Sequence, residues 1–332
     1  MTVGDLGEFG LIAAIAAGLP RGGRTVIGVG DDAAVLATPD GRVVATTDLL
    51  VEGRHFRRDW SGAFDIGGKA AAENLADIAA MGAAPTALLV GLATPGDLAV
   101  TWAEDLARGL ADECARAGAS VVGGDVVGAD SVLLAVTALG DLAGREPVTR
   151  SGARAGDLLA VAGPLGRAAA GLALLEAGTT PGAAVTDEDA GAETAELAGL
   201  VTSHRRPRPP YDAGPEAADL GATSMIDISD GLVADLRHVA EASGVLIDID
   251  TRRLPDDPAL RAAAAALGAD WLRWVLTGGE DHALAATVPR GTGLPGRWTV
   301  IGEVREGLGV RVNSLAADGP GGWTHFGRPA SR

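Results

Sequence analysis

The chain has 332 residues, of which 47% are hydrophobic and 21% are charged, and its formal net charge is −17. This length is enough for two domains, because domains commonly hold about 100 to 200 residues. The negative balance disfavours binding to nucleic acid or to an anionic membrane, since both draw on clusters of Lys and Arg. A phosphorylated ligand would therefore need metal ions beside it.

Cysteine usage and apolar runs indicate the compartment. The single Cys114 cannot form an intrachain disulfide, and the first ten residues are acidic and broken by glycine rather than basic and then apolar. No uninterrupted apolar run reaches the roughly 18 residues that a membrane span needs. We expect a protein of the reducing cytoplasm with no membrane-spanning segment.

The first part of the chain reads as mixed helices and strands. Pro39-Asp40-Gly41 is a turn signal between two strand-like arms, residues 33–38 and 42–47, so a hairpin is expected there. Hydrophobic periodicity predicts helices over 9–17, 65–81 and 98–117, and strands over 86–93, 120–122 and 131–139.

A boundary follows where the apolar periodicity lapses between Gly140 and Gly156. We assign residues 1–142 to an N-terminal mixed α/β domain and residues 150–332 to a C-terminal α/β domain. The fold class expected is therefore α+β with two domains. Strands are expected in the second domain over 158–162, 224–228, 245–249, 283–288, 298–304 and 310–313, and helices over 168–177, 193–202 and 232–243.

Two glycine-rich segments resemble nucleotide-binding loops but fail on context. Residues 28–33, GVGDDA, fit the dinucleotide fingerprint, yet a strand and a turn follow them instead of a helix, and two carboxylates would face the pyrophosphate. Gly67-Gly68-Lys69-Ala70 has Ala where a P-loop needs Ser or Thr for magnesium. The protein-kinase signatures H-R-D and D-F-G are absent.

Acidic residues recur at the ends of predicted strands. Loops at strand ends build sites in α/β sheets, and short carboxylates beside glycine suit a hard cation. One such Asp alone is better explained as a solvated turn, but six in this arrangement favour a divalent-metal site. The six are Asp31, Asp32, Asp48, Asp125, Asp227 and Asp230.

The helix over 65–81 places Lys69, Glu73 and Asp77 four residues apart on one face. The alternative to a site is an exposed ladder of ion pairs, which contributes little stability. Lys69 is the only Lys among 27 basic residues, and an ammonium is not interchangeable with a guanidinium. A role in the site is inferred for it, with the chance survival of one Lys as the alternative.

Two further side chains stand beside these segments. His55 follows the Asp48 strand and suits the orientation of a phosphate or a metal ligand, with a surface loop histidine as the alternative. Trp323 lies in a glycine-rich tail, where an aromatic ring either plugs the core or offers a flat face to a ligand. Residues 278–281, GGED, repeat the pattern of paired glycines before carboxylates.

Eight segments in order resemble the thiamine-monophosphate kinase family, which belongs to the superfamily of aminoimidazole ribonucleotide synthetase and selenophosphate synthetase. The likeness runs from Gly7 to Phe326. Single motifs are moderately specific, but eight with similar spacing rarely arise by accident. The segments are GEF with LI (7–12), GVGDDAAVL (28–36), TTDLLVEGRHF (46–56), GGKAAAENLADIAAMGA (67–83), GGD (123–125), TRSGA (149–153), IDISDGL (226–232) and LTGGED (276–281).

The resemblance implies transfer of the ATP γ-phosphate onto thiamine monophosphate to give thiamine diphosphate. It also implies a homodimer whose N-terminal domains pair through a β-barrel, with ATP and several Mg²⁺ ions bound between the N- and C-terminal domains. Asp125, Lys69 and Arg150 would be catalytic. By position, magnesium would be held by Asp32, Thr46, Thr47, Asp48, Asp77, Asp125, Asp227 and Asp230, ATP by Gly124, Asp125, Arg150 and Ser229, and thiamine monophosphate by His55, Glu280 and Trp323.

The chain departs from the family pattern at two positions: His282 stands where Tyr is usual, and Thr46 replaces a common Ser. The first change affects fine substrate contacts, while the second keeps the hydroxyl. Two other functions stay open. One is a different ATP-dependent phosphate-activating synthetase of the same superfamily, and the other is a non-catalytic acidic metal-binding protein.

Overall fold

The computed structural model describes residues 1–20, 22–27, 34–178, 192–317 and 321–323. The GVGDDA segment, with Asp31 and the expected magnesium ligand Asp32, lies outside the described residues. The rest of the chain is a mixture of helices and strands, in agreement with the expected mixed α and β fold. None of the helices in the described ranges combines the length and the apolar character that a membrane-spanning helix needs.

The elements are numbered in chain order. The first part of the chain forms α1 (Val3–Ala17), β1 (Thr25–Ile27), β2 (Val35–Leu36), β3 (Val44–Val51), α2 (Ala63–Ala80), β4 (Ala84–Thr94), α3 (Val100–Ala117), β5 (Val121–Gly128) and β6 (Leu133–Asp141). The second part forms β7 (Leu158–Ala162), α4 (Arg167–Glu176), α5 (Ala192–Arg205), α6 (Ala213–Asp219), β8 (Ser224–Ile228), α7 (Leu232–Ser243), β9 (Leu246–Ile249), a short 3₁₀ helix (Thr251–Arg253), α8 (Pro258–Leu267), α9 (Trp271–Thr277), β10 (Ala283–Val288), β11 (Trp298–Arg305), β12 (Gly309–Val312) and β13 (Leu315–Ala316).

The chain divides into two compact units. Residues 205–219 were expected in the second domain, yet most of them group with the first unit. The reason is local packing: the Tyr211 hydroxyl donates to Glu113 of α3 at 2.6 Å, and Gly214 of α6 lies so close to α2 that a Cβ there would be 2.0 Å from the Ala79 carbonyl oxygen. The first unit is Met1–Pro147, Arg205–Pro207 and Tyr211–Asp219, and the second is Val148–His204, Arg208–Pro210 and Leu220–Arg332.

The first unit is built on a four-stranded sheet in the order β3-β6-β4-β5, in which only the β4–β5 pair is parallel. The hairpin expected across Pro39-Asp40-Gly41 is wrong. β2 pairs with β1 instead, in a separate two-stranded ladder, and β3 pairs along all eight of its residues with β6. The longer ladder prevails because β3 packs one face against α2, so its alternating pattern is satisfied only inside the larger sheet.

Helices α2 and α3 pack against each other on one face of this sheet at glycine contacts. A Cβ at Gly67 would lie 2.1 Å from the Leu106 carbonyl oxygen, and one at Gly109 would lie 2.0 Å from that of Phe64. The GGK sequence therefore lies inside a helix, where glycine serves close helix packing and not phosphate binding. Ile66, Leu75 and Ile78 are fully buried around α2.

The second unit is built on a seven-stranded sheet in the order β13-β12-β9-β11-β7-β10-β8. Every residue of β8 and β10 is buried. These two strands are antiparallel, with Ala283 opposite Ile228 and Leu284 opposite Asp227. The register brings the loop that follows β8 beside the loop that precedes β10, and both loops carry motif residues.

Candidate active site

Two expected metal ligands, Thr46 and Asp48, lie on the face of β3 that packs against α2. Asp48 was expected to follow this strand, but it lies inside it, because the strand continues along β6 to Val51. The Thr46 hydroxyl donates to Asp77 Oδ2 at 2.8 Å, and the backbone N–H of Asp48 donates to Asn74 Oδ1 at 3.1 Å. Helix α2 therefore holds the side-chain oxygens of Asp77 and Asn74 against Thr46 and Asp48.

Thr47 occupies the opposite face of the same sheet. Successive residues of a strand point to opposite faces, and the Thr47 hydroxyl donates to the Val136 carbonyl oxygen at 3.0 Å and accepts from the Thr137 hydroxyl at 3.1 Å. The structure thus does not bring the Thr47 hydroxyl to the side of Thr46 and Asp48.

Lys69 is buried, with 2% of its surface exposed, on the helix that carries Asp77. The alternative of an exposed ion-pair ladder is wrong for this residue, because α2 is covered by the sheet and by α3. Lys and Glu are almost never fully buried unless they are paired. The sole Lys of the chain is therefore an interior ammonium group.

Gly124 and Asp125 lie within β5, and so Asp125 is not placed after the strand as expected. The Asp125 carboxylate is exposed and accepts a hydrogen bond from the backbone N–H of Val126 at 2.9 Å. A cavity of about 80 Å³ opens beside it between α1, α3, β4 and β5, with a lining that is mostly apolar and includes Ile12, Leu106 and Leu110. An exposed carboxylate thus adjoins an apolar recess.

Gly124→Ala is expected to lower the free energy of unfolding by about 2 kcal/mol or more, because a Cβ would lie 2.1 Å from the Val90 carbonyl oxygen, and a backbone clash of this size needs movement of the strand. Urea unfolding of the purified variant measures this. Gly128→Ala is the matched control in the same strand, since nothing lies within 4 Å of a Cβ there. Equal losses in both variants would contradict the steric explanation.

His55 is half-buried in the turn after β3. Its Nδ1 accepts a hydrogen bond from the backbone N–H of Val51 at 3.0 Å. In the neutral ring the proton therefore lies on Nε2. That tautomer presents an N–H donor, which suits a phosphate oxygen.

Asp227 is buried within β8, with 4% of its surface exposed. His282 Nδ1 lies 3.1 Å from Asp227 Oδ2, and since an ionised carboxylate only accepts, the ring nitrogen is the donor. The residue that departs from the family pattern therefore contacts an expected metal ligand. His282 also adopts a positive φ of 52°, in the left-handed region that few non-glycine residues occupy.

Four of the expected site residues are brought together by backbone hydrogen bonds in the second unit. The N–H of Glu280 donates to the Ser229 carbonyl oxygen at 2.8 Å, and the N–H of Trp323 donates to that of Asp230 at 3.0 Å. Trp323 is 60% exposed, so it is not a core plug. Arg150 lies in the same unit, is exposed, and accepts a hydrogen bond from Ser243 Oγ at its carbonyl oxygen.

Two buried carboxylates behind these loops were not predicted as site residues. Asp235 accepts hydrogen bonds from the loop after β8. Asp281 accepts from the backbone N–H groups of Gly166 and Ala168 at the start of α4. Burial raises the pKa of each carboxyl to about 7, and for Asp235 the charge of Asp227 adds to the shift. The sequence indicated these two residues only by their positions beside the motifs: Asp235 lies four residues after Gly231, and Asp281 directly follows Glu280.

The raised pKa of Asp281 predicts a stability that falls as the pH rises. The unfolded carboxyl has a pKa of about 3.9, so at pH 5 the unfolded chain has lost this proton while the folded chain keeps it until about pH 7. Relative to Asp281→Asn, the wild-type free energy of unfolding should fall by about 2.5 kcal/mol between pH 5 and 8. Urea titrations at several pH values measure the difference, and parallel curves would contradict it.

The described residues fit a magnesium site in their chemistry, as hard oxygen ligands held in pairs. Within the described ranges, no group of three or more His, Cys, Asp or Glu side chains could hold a metal ion. Magnesium is usually bound through one or two carboxylates plus substrate phosphates and water. The Thr46–Asp77 pair, at 2.8 Å, and the oriented Asp227 carboxylate correspond to that mode of binding.

Comparisons with known proteins identify the class and then the family. Residues 30–142 match the family model described as AIR synthase related protein, N-terminal domain. This segment therefore places the chain among the AIR synthase related proteins. The chain is 47% identical over 330 residues to the thiamine-monophosphate kinase of Mycobacterium tuberculosis strain H37Rv, covering 99% of this chain and 94% of that protein. The chain therefore belongs to the thiamine-monophosphate kinase family, as its motifs indicated.

Two solved structures agree with this assignment. The crystal structure of thiamine-monophosphate kinase from Stenotrophomonas maltophilia K279a superimposes with a TM-score of 0.77 at 32% identity, over 92% of this chain and 95% of that one. The structure of AaThiL complexed with AMPPCP and TMP gives a TM-score of 0.77 at 34% identity, over 98% and 99%. The mixed α/β fold of this chain is thus shared with members of the family.

Proposed function

We propose that the chain transfers the γ-phosphoryl group of ATP to thiamine monophosphate and so forms thiamine diphosphate. One geometric observation carries the proposal: in the second unit, the loop with Ser229 and Asp230 hydrogen-bonds through its backbone to Glu280 and Trp323. Residues suited to a metal–nucleotide complex thus adjoin residues suited to an organic cation. The 47% identity to a thiamine-monophosphate kinase over 99% of the chain supports the same activity.

The proposed reaction requires little covalent chemistry from the protein. Phosphoryl transfer depends mainly on positioning and on neutralising charge at the oxygens. The attacking atom is a phosphate oxygen, already anionic near neutral pH because its second pKa is about 6. No general base is needed, and the proposed transfer is direct and in line, without a phosphoenzyme.

The residues proposed to hold magnesium come from several motifs of the chain. Thr46, Asp48 and Asp77 offer oxygen ligands on the α2 side of β3. Thr47, whose hydroxyl lies on the other face, is proposed to contribute its backbone carbonyl. When bound, magnesium neutralises negative charge on donor and acceptor oxygens, which otherwise repel one another. Asp32, Asp125, Asp227 and Asp230 complete the proposed set.

The nucleotide is proposed to contact Gly124 and Asp125, supported by the recess beside them. Its mostly apolar lining suits a flat, weakly polar group such as adenine. Ser229 and Arg150 are proposed to contact the phosphates, because a hydroxyl donates one hydrogen bond and a guanidinium can bind two oxygens at once. Lys69 is proposed as a further positive charge for the transferred group.

Thiamine monophosphate is proposed to bind through both its ends. The Nε2–H of His55 is suited to the phosphate, since Nδ1 is already engaged with Val51. The cationic thiazolium ring is suited to the exposed indole of Trp323 and to the Glu280 carboxylate, because cations are attracted to aromatic faces and to negative charge.

A homodimer joined through the four-stranded sheets is proposed as the working form, with a cytoplasmic location. Support comes from the face of the sheet away from α2 and α3. It carries exposed apolar side chains, including Leu49 and Leu89, which a lone monomer would leave in water. Large exposed apolar patches commonly mark interaction sites.

The test is product formation by the purified chain with ATP, Mg²⁺ and thiamine monophosphate, followed by chromatographic detection of thiamine diphosphate. The proposal predicts stoichiometric thiamine diphosphate and ADP, and no product when magnesium is chelated. ATP hydrolysis stimulated by a different phosphorylated substrate would favour another synthetase of the superfamily. Metal binding without metal-dependent nucleotide affinity in calorimetry would favour a non-catalytic protein.

A further inference from the structure

One buried side chain holds the whole loop between β8 and α7. Asp235, in the first turn of α7, is 3% exposed. Its Oδ2 accepts hydrogen bonds from the backbone N–H groups of Ser229 at 3.1 Å, Asp230 at 3.1 Å and Gly231 at 3.0 Å. Three consecutive N–H groups thus end on a single oxygen atom.

The carbonyl groups of the same loop make the connection to the other loops. The Ser229 carbonyl accepts from the N–H of Glu280, and the Asp230 carbonyl accepts from the N–H of Trp323. The backbone of the loop therefore lies between Asp235 on one side and the two proposed thiamine-binding residues on the other. A shift of this backbone moves both hydrogen bonds together.

Close packing leaves the loop little freedom to relax. Gly231, with φ 136°, lies so close to α9 that a Cβ would be 2.8 Å from the Thr277 carbonyl oxygen, and a Cβ at Gly279 would be 2.2 Å from that of Ser229. At both contacts the neighbouring atoms are backbone, which cannot move aside as a side chain can. The loop is therefore fixed by its packing and by Asp235 together.

We propose that Asp235 is a positioning residue that couples the metal and nucleotide residues Ser229 and Asp230 to the substrate residues Glu280 and Trp323. The coupling rests on the proposed function, since it concerns the same site. Asp235 acts through the loop backbone and touches neither substrate. Its loss should therefore weaken the use of magnesium and of thiamine monophosphate together, although the side chain belongs to neither binding set.

The experiment compares three variants. Asp235→Ala removes the acceptor oxygen, while Asp235→Asn keeps one amide oxygen where Oδ2 lies. Asp248→Ala is the matched control in the same unit: Asp248 is also a buried carboxylate, and it accepts from the N–H and hydroxyl of Ser314, with no hydrogen bond to the loop. Thermal melting shows what each substitution costs in general stability.

Steady-state kinetics and hydrogen exchange give the readouts. In Asp235→Ala, the KM for thiamine monophosphate and the half-saturating Mg²⁺ concentration should each rise about tenfold or more, because the three hydrogen bonds that fix the loop backbone are lost together. Asp235→Asn should stay within about threefold of wild type, and Asp248→Ala within about twofold. Amide exchange should become faster in Asp235→Ala both in the peptide with residues 226–232 and in the peptide with Trp323.

Several results would overturn the coupling. They are unchanged KM and Mg²⁺ dependence in Asp235→Ala, a defect in Asp235→Asn as large as in Asp235→Ala, and equal rises in Asp248→Ala. A wild-type protein that forms no thiamine diphosphate would refute the proposed function instead. Exchange still decides the coupling in that case, because unchanged exchange at Trp323 in Asp235→Ala refutes it without any turnover.

Discussion

Asp125→Asn should lower turnover by about a thousandfold and leave the fold intact. Asp125 is proposed to help hold the magnesium that neutralises the phosphate oxygens of donor and acceptor. Without that neutralisation, two like unit charges about 4 Å apart repel by about 4 kcal/mol at an effective dielectric of 20. A barrier raised by this amount lowers the rate by about three decades. The Asp125 side chain is exposed, and its only hydrogen bond among the described contacts is to the N–H of Val126. Its charge is therefore not needed to hold β5.

The matched control is Asp130→Asn, which removes one carboxylate from the exposed turn after β5. It should retain turnover within about twofold, because surface substitutions away from a site have small effects. Initial rates of thiamine diphosphate formation at saturating magnesium provide the comparison. Turnover retained in Asp125→Asn, or lost equally in both variants, would show that the Asp125 carboxylate is not used.

Leu49→Asp is expected to convert the proposed dimer into monomers. Leu49 is 57% exposed on the face of β3 away from α2, and a carboxylate buried in an apolar interface would carry the cost of an unpaired charge. Light scattering coupled to size-exclusion chromatography measures the mass. The wild type should elute at twice the chain mass of 33.1 kDa, and the variant at the chain mass.

Leu308→Asp serves as its control, because Leu308 is 77% exposed in the turn before β12 of the second unit. That variant should keep the wild-type mass. A wild type that elutes as a monomer at micromolar concentration would refute the dimer directly. A Leu49→Asp protein that keeps the wild-type mass would show that this face of the sheet is not the interface.

Long elements were predictable because their signals are local. The helix over 98–117 ends at Gly118, whose φ of 75° is the left-handed conformation that glycine adopts easily. The hairpin failed for the opposite reason. Its turn signal was correct as a local preference, but the partner of β3 is β6, about ninety residues further along, and such pairing is set by burial on α2.

Part of the candidate site could also be proposed from the sequence. Motif order pointed to Asp227, Ser229, Asp230, Glu280 and Trp323, and hydrogen bonds now join four of these within the second unit. The hydroxyl of Thr47 was assigned with those of its neighbours, yet the alternation of the strand turns it to the other face. Adjacent residues of a motif point to opposite faces of the sheet when the motif forms a strand.

Buried polar partners were the part that sequence could not supply. Asn74, Asp235 and Asp281 serve by accepting backbone N–H groups, and a carboxylate or amide on a helix has the same sequence appearance whether it faces solvent or a loop. Their roles depend on which backbone N–H groups the fold brings within hydrogen-bond distance of them. His282 belongs to the same group, because its contact with Asp227 follows from the β8–β10 register.

Single-turnover transfer from [γ-³²P]ATP is the most direct test of magnesium-assisted, direct phosphorylation of thiamine monophosphate. The purified chain, in excess over the labelled ATP, is mixed with Mg²⁺ and thiamine monophosphate and quenched at intervals. We predict that the label passes from ATP to the terminal phosphate of thiamine diphosphate, with no labelled protein at any time. Label that accumulates on the protein, or that appears only as inorganic phosphate, would contradict this mechanism.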